Sequence, residues 1–280
     1  MKHFIKVVLI LSIISLSFVT PVQTLSAEGQ AIIDENGVQL TQTPSKVDGM
    51  INLSGNTSKE KIKLLVTKDT YQEWFDINLD KGKFNKNIWL TEGKGTYEIS
   101  VMVNLEGRKY TYGPTVKIEN TIDVNRFIVP TKDIDSDDKD IADFAKRLTK
   151  LSKNDRDKAK NLYNWVTKNI KYDYDKYRNQ LAGNYGDVYG ASNTFKTKKG
   201  VCYDYATLIA AFGRSIGMQV KVIRGDFKSG TRSEYHAWNE IYISEEDKWI
   251  NLDATFGYAL NKNYFDNADF LKDHIKIDEL

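Results

Sequence analysis

From Gly37 to Asn120 the apolar residues fall in short alternating runs, KIKLLVTK, TYQEWFDINL, FNKNIWLT, GTYEISVMV and KYTYGPTVKIE, separated by DKGK, EGKG and EGRK. A period of two sends alternate side chains to one face, and the glycine-bearing polar quartets between the runs are turns. Residues 28–122 are therefore expected to form a small β-sandwich of immunoglobulin-like type. The pattern changes after Pro130. Ser136 is the expected N-cap of a helix whose first turn carries carboxylates, which suit the positive end of the helix dipole. Ser152 and Asp155 have capping-box spacing, and Ala159, Leu162, Tyr163, Val166 and Ile170 follow at helical intervals, so a second helix is expected there. Residues 172–199 show no sustained period and read as a long surface loop.

Two further segments have a clear period. In GVCYDYATLIAAFG, Gly200 can break the preceding structure so that Val201 and Cys202 open a helix. Ala206, Ile209, Ala210 and Gly213 give that helix a face of small side chains suited to close packing. YHAWNEIYI and KWINLDAT are β-rich and joined by SEED, which predicts a hairpin. With the turn centred on Glu245 and Glu246, Asp253 faces Trp238 and His236 faces Thr255. His236 and Asp253 then become diagonal neighbours, roughly 7 to 8 Å apart at Cα.

The start of the chain adds an expectation about location. Lys2 and Lys6 precede an apolar run from Val7 to Val19, followed by TPVQTLSAEG, which is the layout of a secretory leader over residues 1–27. The run is well short of the roughly 20 residues a membrane-spanning helix needs, and no later segment approaches that length. A secreted protein, extracellular or associated with the cell wall, is expected, with residues 123–134 as a linker and 135–280 as a second domain. Its 40 basic and 38 acidic residues nearly cancel, which gives no support to nucleic-acid binding. Asp133, Asp135 and Asp137 have the first spacings of a calcium loop. Asp138 stands where the loop needs glycine and Phe144 where it needs glutamate, so no metal is expected there. No cofactor is expected either.

Candidate chemistry centres on Cys202, the one cysteine in the chain. A thiol on the first turn of a helix feels unpaired N–H groups and the helix dipole, which favour the nucleophilic thiolate, and the same N–H groups can receive an oxyanion. Asp204 reads as a first-turn carboxylate that stabilises the helix. The chain has three histidines, of which His3 lies in the leader and His274 near the end of the sequence, leaving His236 as the imidazole partner. Asp253 is placed to hold that imidazole in the right tautomer.

Gly200-Val201-Cys202-x-Asp204-Tyr205-Ala206, Tyr235-His236-Ala237-Trp238-Asn239-Glu240 and Trp249-x-x-x-Asp253-x-Thr255 together resemble the catalytic core of the transglutaminase-like superfamily, most of all its secreted bacterial members. The resemblance covers roughly residues 135 to 270. It implies an α+β fold, with the cysteine opening a central helix packed on an antiparallel sheet that carries the other two residues, as in papain-like enzymes. It implies Cys202 as nucleophile, His236 as general base and acid, and Asp253 as the residue orienting His236. Related enzymes complete the oxyanion site with a further side chain upstream of the cysteine, for which Tyr172, Tyr174 and Gln180 compete, Tyr172 first. Trp238 and Trp249 read first as wall and core residues, with the substrate groove as the alternative for either. The implied reaction is acyl transfer on a peptide or protein amide. Its outcomes are hydrolysis by a peptidase or amidase or cross-linking by a transglutaminase, and the further alternative is an inactive binding or adhesion module.

Overall fold

The computed structural model describes residues 33–41, 43–184, 186–259 and 262–280. The expected leader lies outside the described residues. The chain folds as two units, Met1–Val124 and Asn125–Leu280.

The first unit contains β1 (Ile33–Glu35), β2 (Val38–Leu40), β3 (Lys46–Val47), β4 (Met50–Thr57), β5 (Ile62–Lys68), β6 (Tyr71–Asp76), β7 (Lys83–Trp89), β8 (Gly95–Glu106) and β9 (Lys109–Asn120). They make two sheets, ordered β1-β2-β4-β7 and β3-β9-β8-β5-β6. Val38, Leu40, Ile51, Leu53 and Ile88 from one sheet meet Leu64, Val66, Tyr97, Ile99 and Val101 from the other in a single apolar core. The period-two runs correspond to β5 through β9. β4 is the strand the sequence disguises, because Ser54-Gly55-Asn56 has the composition of a turn. Gly55 is required there by close approach, since a Cβ would lie 2.3 Å from the Gln39 carbonyl and 2.7 Å from the Phe84 ring.

The second unit is mixed α+β. It contains α1 (Lys139–Thr149), α2 (Asp155–Asn169), β10 (Lys171–Tyr172), α3 (Tyr174–Leu181), α4 (Ala191–Thr197), β11 (Lys199–Gly200), α5 (Cys202–Ser215), β12 (Val220–Ser229), β13 (Arg232–Ile243), β14 (Lys248–Leu252), α6 (Ala254–Ala259) and β15 (His274–Glu279). The sheet order is β14-β13-β12-β15, antiparallel throughout. α5 lies against β12 and β13 and is flanked by α1, α2 and α4. Leu208, Ile209, Ala210, Ala211 and Phe212 are fully buried, so the helix is apolar around nearly its whole circumference.

The small residues of α5 set how closely it approaches the sheet. A Cβ at Gly213 would fall 2.4 Å from Val220 Cγ2 and 3.9 Å from Leu162. Gly213→Ala should therefore destabilise the protein by about 1–3 kcal/mol, since overpacking outweighs the roughly 1 kcal/mol that alanine offers a helix. Chemical denaturation would check it, and a variant at least as stable as wild type would show that β12 yields. At the same end of α5, Arg214 donates to the carbonyls of Val129, Val220 and Leu280. Burial lowers its guanidinium pKa to about 9.

Three local expectations are corrected. The cap of α1 is Asp138, whose Oδ1 accepts from the Asp140 and Ile141 N–H groups at 2.9 and 3.2 Å, while Ser136 lies two residues earlier and is buried. The cap of α2 is Asn154, which accepts from Asp157 N at 2.8 Å, while Ser152 Oγ instead accepts from Asn161. The supposed loop of 172–199 holds α3 and α4, eight and seven residues long. Helices of two turns are too short to show a sustained apolar period.

Candidate active site

The β13–β14 register is the one the hairpin pattern predicts. Asn239 faces Leu252 and Tyr242 faces Trp249, which sets Asp253 level with Trp238 and diagonal to His236. His236 Nε2 lies 2.7 Å from Asp253 Oδ2, with both side chains buried. Asp253 is fixed from its other side as well. Its Oδ1 accepts from the N–H groups of Thr255 and Phe256 at 2.8 and 3.0 Å, so the same carboxylate caps α6. Burial alone would raise its pKa, but the His236 charge, the hydrogen bonds from both histidines and the helix N–H groups hold it well below the usual carboxylate range.

Cys202 is the first residue of α5 and is 9% exposed. Its thiol is near enough to the His236 imidazole to contribute to raising that ring's pKa. With Nε2 committed to Asp253, the Nδ1 edge of the ring is left for sulfur. Desolvation would lower the His236 pKa, but the Asp253 charge and hydrogen bond, joined by Cys202, raise it to about 10. Cys202 and Asp253 thus both act on the His236 imidazole, Asp253 through a direct hydrogen bond.

A second carboxylate positions the start of α5. Asp204 Oδ2 accepts from Val201 N at 2.9 Å and from Lys176 Nζ at 2.7 Å, and Oδ1 accepts from Gly190 N at 3.0 Å. The first-turn carboxylate expected from the sequence is thus a buried junction between α3, the segment before α4, and the residue preceding Cys202. Burial raises its pKa, against the opposing pull of Lys176 and the two N–H groups. Gly200 makes room for it, since a Cβ there would meet Asp204 Cβ at 2.4 Å.

Tyr172 pairs with Gly200 through the short parallel ladder of β10 and β11, so its half-buried ring enters beside the thiol. Burial first, then the Cys202 charge, raises its phenol pKa well above the usual value. Tyr174 packs edge-on against Tyr172 at 5.1 Å, and Gln180 lies on the last turn of α3. Of the three competing side chains, Tyr172 is thus the one that feels the thiol.

The groove alternative for both tryptophans is corrected. Trp238 is 2% exposed and packs with Ile223, Tyr264 and Phe270 behind the histidine, so it is a wall of the core and cannot line an open groove. Trp249 packs against Phe127 and Tyr242 beneath Lys221 Nζ, toward the end of the hairpin remote from His236.

Sequence reasoning missed two neighbours. Tyr235 is 60% exposed, and desolvation followed by the Cys202 charge raises its phenol to about 12. Its adjacency to His236 was the available signal. His274 was set aside for its position in the chain, yet β15 pairs with β12 and brings His274 Nε2 to 3.2 Å from Asp253 Oδ2. Among the described residues, His236, Asp253 and His274 offer ligand atoms within 4.8 Å of one another and could hold a metal. They are engaged in hydrogen bonds with each other, so a metal would compete with those bonds.

An antiparallel sheet carrying His236 and Asp253, with a buried helix opening at Cys202, defines a transglutaminase-like or papain-like class of core. Residues 142–254 match the family model of the transglutaminase-like superfamily. A UPF0252 protein of Methanocaldococcus jannaschii is 49% identical over 122 residues, which are 42% of this chain and 34% of that protein. The match thus spans about a third of the relative's length. Among solved structures, a Cytophaga hutchinsonii protein provisionally assigned as a cysteine protease is 18% identical, with 90% of this chain and 89% of that one covered at a TM-score of 0.39. Red sea bream transglutaminase is 12% identical, with 79% and 50% covered at a TM-score of 0.32. Among the described residues no helix is long and apolar enough to cross a membrane.

Proposed function

We propose that the protein is a secreted thiol enzyme that hydrolyses peptide or protein amides, with Cys202, His236 and Asp253 as its triad. The observation that carries this reading is the buried His236, hydrogen-bonded to Asp253 and close enough to Cys202 for the thiol to help raise its pKa. Cys202 gives its thiol proton to His236 as its sulfur attacks the amide carbonyl, and the first N–H groups of α5 receive the charge that develops on oxygen. His236 donates its proton to the departing amine, leaving a thioester on Cys202. Water, activated by the now neutral His236, attacks that thioester and releases the acid together with the restored thiol. Asp253 keeps the imidazole in register throughout, and Tyr172 completes the oxyanion site. The first unit, read as an immunoglobulin-like sandwich, serves as a spacer or a wall-binding module.

The test is incubation of the protein and its Cys202→Ala variant with a casein-type substrate and a labelled primary amine, followed by mass spectrometry. Cys202-dependent fragment release with little amine incorporation is the expected result. Dominant incorporation would make the enzyme a cross-linking transglutaminase. Identical behaviour of the two proteins, with Cys202 inert to iodoacetamide, would remove the enzymatic reading and leave a binding module.

A further inference from the structure

The outer face of the β1-β2-β4-β7 sheet carries polar chemistry that folding does not require. β4 alternates strictly, with Ile51 and Leu53 in the core and Met50, Asn52, Ser54 and Asn56 outward. β7 does the same, with Phe84 and Ile88 in the core and Asn85, Asn87 and Trp89 outward. The register lays the outward residues in rows across the sheet. Met50 lies beside Trp89, Asn52 beside Asn87, Ser54 beside Asn85, and Asn56 between Gln39 and Lys83. Thr41 extends the Ser54 row, its Oγ1 2.6 Å from Ser54 Oγ. Strands disfavour asparagine, and threonine or a branched apolar side chain would suit these positions better. Asn52, Asn56, Asn85 and Asn87 on two adjacent strands thus run against local preference together, as side chains kept for function do.

Their hydrogen bonds order the amides and leave half of their capacity open. Asn52 Nδ2 donates to Asn85 Oδ1 at 2.6 Å and to Asn87 Oδ1 at 2.7 Å, and Asn56 Nδ2 donates to Gln39 Oε1 at 3.2 Å. Asn52 Oδ1, Asn56 Oδ1 and the Nδ2 groups of Asn85 and Asn87 have no side-chain partner among the described residues, and all four asparagines are exposed. A planar amide offers donor and acceptor side by side, which suits a pair of hydroxyls or a second amide. Charge enters at one end of the face, where Asp34 pairs with Gln39 and Lys83 with Asn56. At the other end, about 20 Å along β7, the half-buried Trp89 offers a flat apolar ring. A strip that is uncharged over most of its length complements an uncharged ligand. Sugar rings fit it, because hydroxyl and acetamido groups pair with the amides and the C–H face of a pyranose stacks on the indole.

We propose that this face is a binding site for an extended glycan strand of the cell wall, a chain of N-acetylated sugars laid along β4 and β7 across Asn52, Asn85 and Asn87 toward Trp89. The proposal deepens the wall-binding reading of the first unit and rests on it, and it is independent of the triad. Binding of this kind draws on hydrogen bonds and stacking, so salt, which screens charge, has little to act on.

The experiment is a pull-down of the full chain on purified peptidoglycan and on colloidal chitin, a glycan of N-acetylated sugars without peptide, at low and high salt. Retention on both materials is expected, with retention on chitin unchanged by salt. Asn85→Asp combined with Asn87→Asp keeps the oxygens that accept from Asn52 and replaces both outward donors with carboxylate oxygens. That double variant should bind chitin about tenfold more weakly or worse. Trp89→Ala should weaken binding in the same direction, and either variant decides if the other does not fold. Absence of wild-type retention on both materials would overturn the wall-binding reading and the proposal with it. Retention on peptidoglycan without chitin, release from chitin by salt, or unchanged retention of the folded variants would overturn this site and leave the wall-binding reading standing. Cys202→Ala should be retained like wild type, so an inert triad leaves the result unchanged.

Discussion

Asp253→Asn should lower Cys202-dependent turnover by about 10³- to 10⁴-fold while leaving the protein folded. The side-chain carbonyl of asparagine can still accept from the Thr255 and Phe256 N–H groups, so α6 keeps its cap. The amide NH₂ then takes the place of Oδ2, and a donor faces the Nε2–H of His236. The imidazole loses its orienting acceptor together with the charge that raises its pKa to about 10, and burial pushes that value back down. The pH profile shows this more distinctively than the rate does. In wild type the His236 imidazolium, and the stability it lends, are fully present below the ordinary histidine pKa of about 6.5 and are lost as pH rises through about 10. In Asp253→Asn that loss should shift to much lower pH. Both the alkaline limb of kcat/KM and the alkaline decline of the melting temperature should follow it. A variant with a single-digit fall in turnover and an unmoved alkaline limb would remove Asp253 from the mechanism.

The site was legible where chemistry and local period coincided. SEED between two alternating runs marked the β13–β14 hairpin and left two registers open, both of which put Asp253 near His236, and the structure has the one centred on Glu245 and Glu246. Gly200 before an apolar run of small residues marked the start of α5. His274 was not legible because its relation to Asp253 depends on β15 docking against β12, with Phe227 facing His274. Sequence pattern gives no register for strands separated by so many residues. Trp238 failed for a different reason. A large aromatic next to a candidate catalytic histidine fits either a groove or a core, and only burial tells them apart. The caps of α1 and α2 failed because several residues near each helix start can accept a hydrogen bond. Asp138 and Asn154 won over Ser136 and Ser152 through their geometry relative to the first free N–H groups.

Lys176 and Asp204 predict the largest effect on stability. Their side chains are 5% and 0% exposed, and Lys176 Nζ also donates to the Val188 carbonyl and lies 4.0 Å from the centre of the Tyr189 ring. Lys176→Met removes the cation and leaves Asp204 buried with only the Gly190 and Val201 N–H groups to stabilise its charge. The expected cost is about 3–5 kcal/mol, the usual result of stranding one partner of a buried pair. The sign of the pH dependence follows from Asp204, whose folded pKa is already raised by burial and rises further without Lys176. An acid whose pKa is raised on folding is more easily accommodated protonated, so the deficit should shrink as pH falls through that folded value. Denaturant titrations of wild type and Lys176→Met over a series of acidic pH values would show the gap closing. Asp204→Asn placed on Lys176→Met should recover much of the loss at neutral pH, because the stranded charge is gone. A constant gap at every pH, with no recovery in the double variant, would mean that Lys176 acts through its aliphatic stem. Because Asp204 also holds Val201, the same substitution should slow alkylation of Cys202 even at temperatures where the variant is folded. That would tie the buried pair to the placement of the thiol as well as to the stability of the unit.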